Sequence, residues 1–238
     1  MSIPSVSVQK TIQSPTVTPQ ALAWDGKQLW VSSRDLGFFY KLNSDGSKIT
    51  EEVDPPGVIW AAAQTNGVMH CTIGKGLNDD RYVYSYEKGK GFTRLFECPD
   101  LAGSYLSYDG NNLYLSQWYQ QRILKVEKDG KIAGTIQIGA EICGHAFANG
   151  VLYVLRGTEN VPRPQYADGP PTPEQFKRGA KPGEEQWWIA RVDLKNGSAG
   201  VTDVAKIPFG ARSLTFDGTN FWSNHRAANE IVSFSLPG

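Results

Sequence analysis

One short motif, repeated five times, limits the fold of this chain more than any other feature of its sequence. Each copy is an apolar run, then Asp-Gly or Asn-Gly, then a second apolar run. Asp-Gly or Asn-Gly between such runs is typical of a two-residue type I′ turn, because both residues tolerate a positive φ. The motif therefore predicts five β-hairpins. The copies are residues 21–33, 62–74, 105–117, 145–157 and 213–225.

The spacing of the hairpins indicates how they assemble. Successive copies are about 40 residues apart, except between the fourth and fifth, and this period is typical of four-stranded propeller blades. The first four hairpins are each followed by a third strand, a polar turn and a fourth strand. The third strands are residues 38–43, 82–87, 122–127 and 187–194. The pattern predicts an all-β fold, a five-bladed β-propeller of four-stranded antiparallel blades. An irregular β-sandwich is the alternative, but it does not explain the regular period.

The fifth unit has a third strand, residues 230–236, and no fourth strand after it. The N-terminal run, residues 5–14, alternates like a strand and has no other partner in the repeat. We expect it to supply the missing outer strand and to close the ring, which also removes an exposed sheet edge. Residues 1–238 would then form a single propeller domain.

Composition narrows the choice of partners and compartment. Lysine plus arginine and aspartate plus glutamate number 24 each, so no excess charge favours nucleic acid or a membrane surface as a partner. No apolar run reaches the roughly 18 residues of a membrane helix, and the N-terminus lacks the features of a secretory signal. The three cysteines show no CxxC spacing and are expected to be small buried residues. These features favour a cytoplasmic location.

The topology of a propeller blade predicts which end carries the functional residues. The first-to-second and third-to-fourth turns lie at one end, and they are tight and uniform. The second-to-third loops and the links between blades lie at the other end, which we call the loop-rich face. Its sequence is varied, and variable loops on a rigid scaffold are where function concentrates.

Arginine and aromatic side chains are prominent among the residues expected at the loop-rich face. Arginine suits carboxylates and phosphates, and aromatic walls bury apolar or ring-shaped groups. The sequence thus predicts a central pocket for a small anionic or polyoxygenated, partly aromatic molecule. In the alternative interpretation, Arg34, Arg156 and Arg226 only pair with nearby carboxylates such as Asp35 and Glu230. The candidate binding residues are Gln20, Arg34, Trp60, Tyr105, Trp118, Arg156, Arg212 and Arg226.

Two of the three histidines are candidates for chemistry. His145 and His225 fall at the loop-rich face in adjacent blades, where they would transfer protons with Glu141 orienting them. A divalent-metal site built from the same three residues is one alternative, and hydrogen bonding without chemistry is another. His70 aligns with Trp30 and its counterparts, so we expect it to pack between blades.

Residues 157–186 interrupt the fourth blade between its second and third strands. Six prolines and several glycines indicate a long loop, and loops of this length are usually lids or binding loops. Within it, residues 172–179 have the signals of a short helix. We expect a lid or rim over the pocket, with Tyr166 and Phe176 available for contacts; a plain surface loop and a homodimer contact are the alternatives.

The repeat units resemble those of the virginiamycin B lyase and SMP-30-like propellers. The stretches WSNHRAANEIVSF (222–234) and YLSQWYQQRILKVEKDG (114–130) share a layout of aromatic strand end, short loop and closing strand. The resemblance implies a propeller fold over most of the chain. It departs in blade number, because that lyase has seven blades, and in the absence of a metal-binding glutamate at the matching strand ends. Five-bladed glutaminyl cyclases are a second comparison, although their acidic motifs have no counterpart here.

The sequence contains no GxSxG, GK[ST] phosphate loop, HExxH or EF-hand pattern, which argues against serine hydrolase, nucleotide-dependent and zincin chemistry. Acid–base chemistry needs only a placed base. We therefore expect an enzyme of lyase or hydrolase type, acting on a small anionic or cyclic substrate. The alternative is a non-catalytic propeller that binds a small ligand or a protein.

Overall fold

The chain forms five antiparallel sheets of four strands. The computed structural model describes residues 2–75, 80–158, 185–195 and 198–238. Blade one is β2 (Pro19–Trp24), β3 (Leu29–Ser33), β4 (Phe39–Leu42) and β5 (Ile49–Val53). Blade two is β6 (Val58–Thr65), β7 (Val68–Gly74), β8 (Tyr82–Glu87) and β9 (Gly91–Glu97). Blade three is β10 (Leu106–Tyr108), β11 (Leu113–Gln117), β12 (Arg122–Val126) and β13 (Ile132–Gln137).

Blade four is β14 (Ile142–Ala148), β15 (Val151–Thr158), β16 (Gln186–Lys195) and β17 (Ser198–Ile207). Blade five is β18 (Ala211–Phe216), β19 (Phe221–His225), β20 (Glu230–Ser235) and β1 (Ser7–Gln13). Two short 3-10 helices, Pro99–Leu101 and Arg226–Ala228, lie at the loop-rich face. The first strands β2, β6, β10, β14 and β18 each contact the next one around a closed ring. The predicted five-bladed β-propeller is confirmed.

The N-terminal strand closes the ring as expected. β1 pairs antiparallel with β20, so that Ile12 lies opposite Ile231 and Ser7 opposite Ser235. Ahead of β1, the amide of Val6 donates to the carbonyl of Lys206 in blade four at 2.9 Å. The first residues of the chain therefore join two blades as well as completing one.

The hairpin turns are of two kinds, and the type I′ prediction fits only one of them. In the two Asn-Gly turns, Asn66 and Asn149 have φ near +50° and the strands pair directly across two residues. In the Asp-Gly turn of blade one, pairing resumes across four residues, from Trp24 to Leu29. The Asp25 carboxylate accepts the amides two and three positions ahead, at 2.9 and 2.8 Å. This side-chain turn replaces the backbone turn.

The same aspartate also anchors an aromatic residue of the next strand. The indole Nε1 of Trp30 donates to Asp25 at 2.9 Å, and Trp222 donates to Asp217 in blade five. In blade two this position is His70, whose Nδ1 lies 2.8 Å from the hydroxyl of Thr65. The position is structural in each of these blades, which agrees with the interpretation of His70 as a packing residue.

Glycine allows two first strands to approach closely beside the axis. A Cβ at Gly144 would lie 2.7 Å from the amide nitrogen of Leu214 and from the carbonyl carbon of Ser213. Ser213 itself has φ of 61°, an unusual conformation for a residue other than glycine. The close approach places the start of β14 directly against the start of β18, where Arg212 lies.

Several sequence-based expectations concern the rest of the chain. The three cysteines are buried and unbridged, as expected. Among the described residues, no helix has the length and hydrophobicity needed to cross a membrane. The insertion follows β15 and precedes β16, but Tyr166, Phe176 and the helix expected over 172–179 lie outside the described residues.

Candidate functional site

Five polar side chains meet where the first strands begin, at the loop-rich end of the ring. We call Gln20, Tyr105, Arg212, Asn224 and Arg226 the axial cluster. The amide oxygen of Gln20 accepts a short hydrogen bond from Nη2 of Arg226, and its amide nitrogen donates to the carbonyl of Trp60 at 3.1 Å. One side chain of blade one thus connects blades two and five.

Arg226 follows directly after β19 and is held by neutral oxygens. Besides its bond to Gln20, its Nε donates to the carbonyl of Pro19 at 3.3 Å. Burial lowers the pKa of Arg226 to about 9, and the positive charges of Arg212 and Arg34 act in the same direction, while Asp35 opposes them. The lowered pKa reflects a positive charge that its surroundings compensate only in part. A bound anion would stabilise it.

Arg212 reaches the cluster from the start of β18. It makes a side-chain hydrogen bond to Tyr105, which is 4% exposed. Burial raises the pKa of the Tyr105 phenol, and the charges of Arg212 and Arg226 partly offset that effect. The phenol is therefore a neutral proton donor at pH 7. The guanidinium of Arg212 also lies 5.4 Å from the ring centroid of Trp118.

Asn224 is fully buried in the cluster. Its Nδ2 donates to the carbonyl of Gln20 at 3.1 Å, while its Oδ1 accepts no hydrogen bond from the described residues. In blade one the equivalent residue is Ser32, whose hydroxyl donates to the carbonyl of Ile59 in the next blade at 2.8 Å. Asn224 makes the same link between blades and retains an additional acceptor.

Trp60 is flanked by two arginines. The guanidinium of Arg81 lies 3.9 Å from its ring centroid and that of Arg34 lies 5.6 Å away, distances typical of cation–π contacts. Arg81 also donates to the carbonyl of Gly103 at 2.8 Å. Arg81 was not among the candidate binding residues. Its position in the second-to-third loop of blade two is the sequence signal that identifies it.

Glu141 and Cys143 bring blade four into the same region. Burial raises the pKa of the Cys143 thiol to about 11, with Arg212 and Arg226 lowering it and Glu141 raising it further. Glu141, Arg212 and Arg226 thus all act electrostatically on one buried thiol. Cys143 is fully protonated at neutral pH, so its thiol is not an activated nucleophile.

The two candidate histidines make their hydrogen bonds to groups other than the side chains of the axial cluster. His145 is fully buried; its Nδ1 lies 2.6 Å from the Ser107 hydroxyl and its Nε2 lies 3.2 Å from the carbonyl of Tyr105. Because a carbonyl only accepts, Nε2 carries the proton and Nδ1 accepts from Ser107. Burial lowers the pKa of His145 to about 4. Both ring nitrogens are occupied, and His145 fixes the backbone of Tyr105.

His225 and Arg156 also make structural contacts. The Nδ1 of His225 lies 3.3 Å from a carboxylate oxygen of Glu230, and its ring packs on Phe209. Arg156 donates to Asp203 on the outer strand of blade four at 2.6 Å. Within the described ranges, no three acidic, histidine or cysteine residues form a metal-binding group. His145, His225 and Glu141 therefore do not form the metal site considered above.

The sequence matches no protein-family model and no curated protein sequence. The fold matches solved propeller structures over nearly the whole chain. Myxococcus xanthus glutaminyl cyclase has a TM-score of 0.63 at 13% identity, covering 99% of this chain and 98% of that one. The PQQ-bound aldose sugar dehydrogenase of Streptomyces coelicolor has a TM-score of 0.59 at 14% identity, covering 99% and 100%.

Virginiamycin B lyase from Staphylococcus aureus has a TM-score of 0.51 at 14% identity, covering 96% of this chain and 99% of that one. This match confirms the predicted resemblance to the lyase propellers as one of fold. At these identities the likeness concerns architecture alone, because unrelated activities share the same folds. The chain is a five-bladed β-propeller whose structural neighbours include enzymes.

Proposed function

We propose that the axial cluster binds a small organic anion at the loop-rich face of the propeller. The observation that carries this proposal is Arg226, a largely buried cation held by neutral oxygens and placed beside Arg212. Guanidinium groups in such settings recognise carboxylates and phosphates through paired hydrogen bonds. The indoles of Trp60 and Trp118 flank the arginines and supply surface for the apolar part of the ligand.

Replacing the central cation tests this proposal. In Arg226→Gln, we expect the affinity for organic anions to fall about 10- to 100-fold, because a charge-assisted hydrogen bond is lost. The measurement is a thermal-shift screen against carboxylates, phosphate esters and neutral sugars, followed by calorimetry on any compound that stabilises the protein.

The matched control is Arg191→Gln, since Arg191 lies on the third strand of blade four, β16, and is paired with Asp193. It should bind like the unmodified protein. If no anion stabilises the folded protein, or if both variants bind equally well, the axial binding site is wrong.

Acid–base turnover of the bound anion, of lyase or hydrolase type, is the second candidate function. It is favoured by the Tyr105 phenol, a buried proton donor bonded to Arg212, and by the Glu141 carboxylate, which acts with Arg212 and Arg226 on the Cys143 thiol. We assign proton transfer to these two groups, because both ring nitrogens of His145 are occupied; His225, whose Nδ1 contacts Glu230 and whose Nε2 takes no part in that contact, is the alternative base. A ligand-binding propeller without turnover would need only the arginines.

Tyr105→Phe separates turnover from binding. The change removes one hydroxyl, so we expect affinity to stay within a few-fold while any conversion of the bound compound slows about 100-fold or more. Mass spectrometry of each stabilising compound after incubation measures that conversion. Tyr108→Phe is the matched control, because the Tyr108 hydroxyl donates to the carbonyl of Gly110 in the hairpin turn at the other end of blade three. Unchanged conversion in Tyr105→Phe would exclude the phenol as the proton donor.

A further inference from the structure

We infer that Gln20 makes the axial site selective for anions: its neutral amide holds Arg226 where a carboxylate would form an ion pair, so the charge of Arg226 remains for the ligand. This inference rests on the proposed function and names the residue that determines the charge of its ligand. Gln20 was predicted to contact the ligand. We assign it a positioning role instead, because both polar atoms of its amide are bonded to the protein.

Gln20 and its neighbour Pro19 occupy one edge of the Arg226 guanidinium. The Nε of Arg226 donates to the carbonyl of Pro19 at 3.3 Å, and its Nη2 donates to the side-chain oxygen of Gln20. In a bidentate ion pair, arginine uses two parallel N–H groups of this kind to bind both oxygens of a carboxylate. Two uncharged oxygens from consecutive residues therefore take the place of a carboxylate.

The opposite edge of the guanidinium can receive a ligand. Arg226 is partly exposed, and within the described part of the chain its Nη1 makes no hydrogen bond. No described carboxylate lies within ion-pair distance of Arg226, since Asp35 acts on it electrostatically but from farther away. The charge of Arg226 thus has no partner in contact among these residues, while its bonds to blade one fix its orientation.

Gln20 is itself fixed by its neighbours. It is 3% exposed, its Nε2 donates to the carbonyl of Trp60 at 3.1 Å, and its own carbonyl accepts the Nδ2 of Asn224 at 3.1 Å. A glutamine accepts from Arg226 and donates to Trp60 at the same time, whereas an ionised glutamate has no donor. The local hydrogen bonds therefore favour the amide over the carboxylate.

A second buried glutamine makes the same kind of contacts beside an arginine that has an ion pair. In blade three, the side-chain oxygen of Gln117 accepts from Nε of Arg122 at 2.6 Å, and its nitrogen donates to the carbonyl of Pro99 at 2.6 Å. Arg122 also forms an ion pair with Asp100 at 2.9 Å. The two glutamines are bonded alike, but only Arg122 has a carboxylate in contact. This difference identifies Arg226 as the arginine that can bind an external anion.

Gln20→Glu tests the inference, because it supplies the carboxylate that Arg226 lacks. We expect the affinities for benzoate and phenyl phosphate, measured by calorimetry at pH 7.5 and constant ionic strength, to fall about 100-fold or more. Gln20→Met is neutral, similar in length and loses the same bond to Trp60. It should lower both affinities about tenfold at most and still bind benzoate more tightly than neutral benzamide. The difference between the two variants therefore measures the effect of the charge.

Gln28→Glu is the matched control. It is the same substitution in the hairpin turn of blade one, at the other end of the ring, where the Nε2 of Gln28 donates to the carbonyl of Leu42 at 2.8 Å. This variant should bind both anions like the unmodified protein.

Arg226→Lys is a second test, which applies even if Gln20→Glu does not fold. Lysine keeps the charge but lacks the planar fork that bonds both oxygens of blade one, so we expect about tenfold weaker binding of both anions. Equal losses in Gln20→Glu and Gln20→Met, or unchanged affinity in Arg226→Lys, would overturn the inference and leave anion binding intact. No binding of either anion to the unmodified protein would overturn the proposed function itself.

Discussion

Deletion of residues 2–13 should prevent the propeller from folding. The deletion removes β1, leaves β20 as an open edge and breaks the link between Val6 and Lys206. Buried Val6 and Ile12 contribute about 1.5–3 kcal/mol each, and each lost strand hydrogen bond adds about 1 kcal/mol. Together these terms are comparable to the roughly 5–15 kcal/mol stability of a natural domain. Circular dichroism and size-exclusion chromatography should show an unfolded or aggregated chain.

A circular permutant provides the control for this deletion. Because Ser7 lies opposite Ser235, residues 2–14 can be attached after Gly238 through a short Gly/Ser linker, with the chain beginning at Pro15. The strand would then form a hairpin with β20, and we expect the permutant to fold with near-native stability. A truncated chain that folds and melts like the full chain would contradict closure by β1.

Lowering the pH should destabilise the protein through His145. Its pKa is about 4 when folded and about 6.5 in an unfolded chain. Below pH 6.5 the unfolded state binds a proton that the folded state excludes, so stability falls as the pH decreases and the loss is complete below pH 4. Between pH 7 and 4.5 this one residue should cost about 2–3 kcal/mol.

His145→Gln isolates this contribution, because glutamine retains hydrogen-bonding groups but does not titrate. The variant should be less stable at pH 7, where it loses the fitted imidazole, yet lose about 2–3 kcal/mol less than the unmodified protein on going to pH 4.5. Urea unfolding at both pH values measures the difference. Parallel pH profiles would mean that His145 is accessible to protons in the folded state, which would restore it as a candidate catalytic base.

The fold could be predicted closely from the sequence because its signals are local and repeated. Hairpins depend on turn residues and alternating apolar side chains, and these recur in five units. The N-terminal strand could be placed by counting strands, because the fifth unit lacked a fourth strand and the strand-like run of residues 5–14 lacked a partner. The type of turn was predicted less well, because the Asp25 side chain competes with the backbone for hydrogen bonds and lengthens the loop.

The candidate site could be predicted for those residues whose location depends only on their position in the repeat. Gln20, Trp60, Tyr105 and Arg212 begin the first strands, and blade geometry brings those positions to the axis. The hydrogen-bond partners of the candidate residues could not be predicted, because they depend on distances between strands and between blades. Arg156 binds Asp203 across its own sheet, and the approach of blade three to blade four gives His145 both of its partners.

The sequence by itself determined the architecture of this protein: the hairpin period, the number of blades and the end of the ring at which varied side chains gather. Only the tertiary structure decided which of those side chains act together. Arg81 joins Trp60, and Arg226 is held by Gln20 from another blade. The physical reason is that a hairpin forms between residues that are close in sequence. The charge environment and burial of the site depend instead on contacts between blades that are distant in sequence.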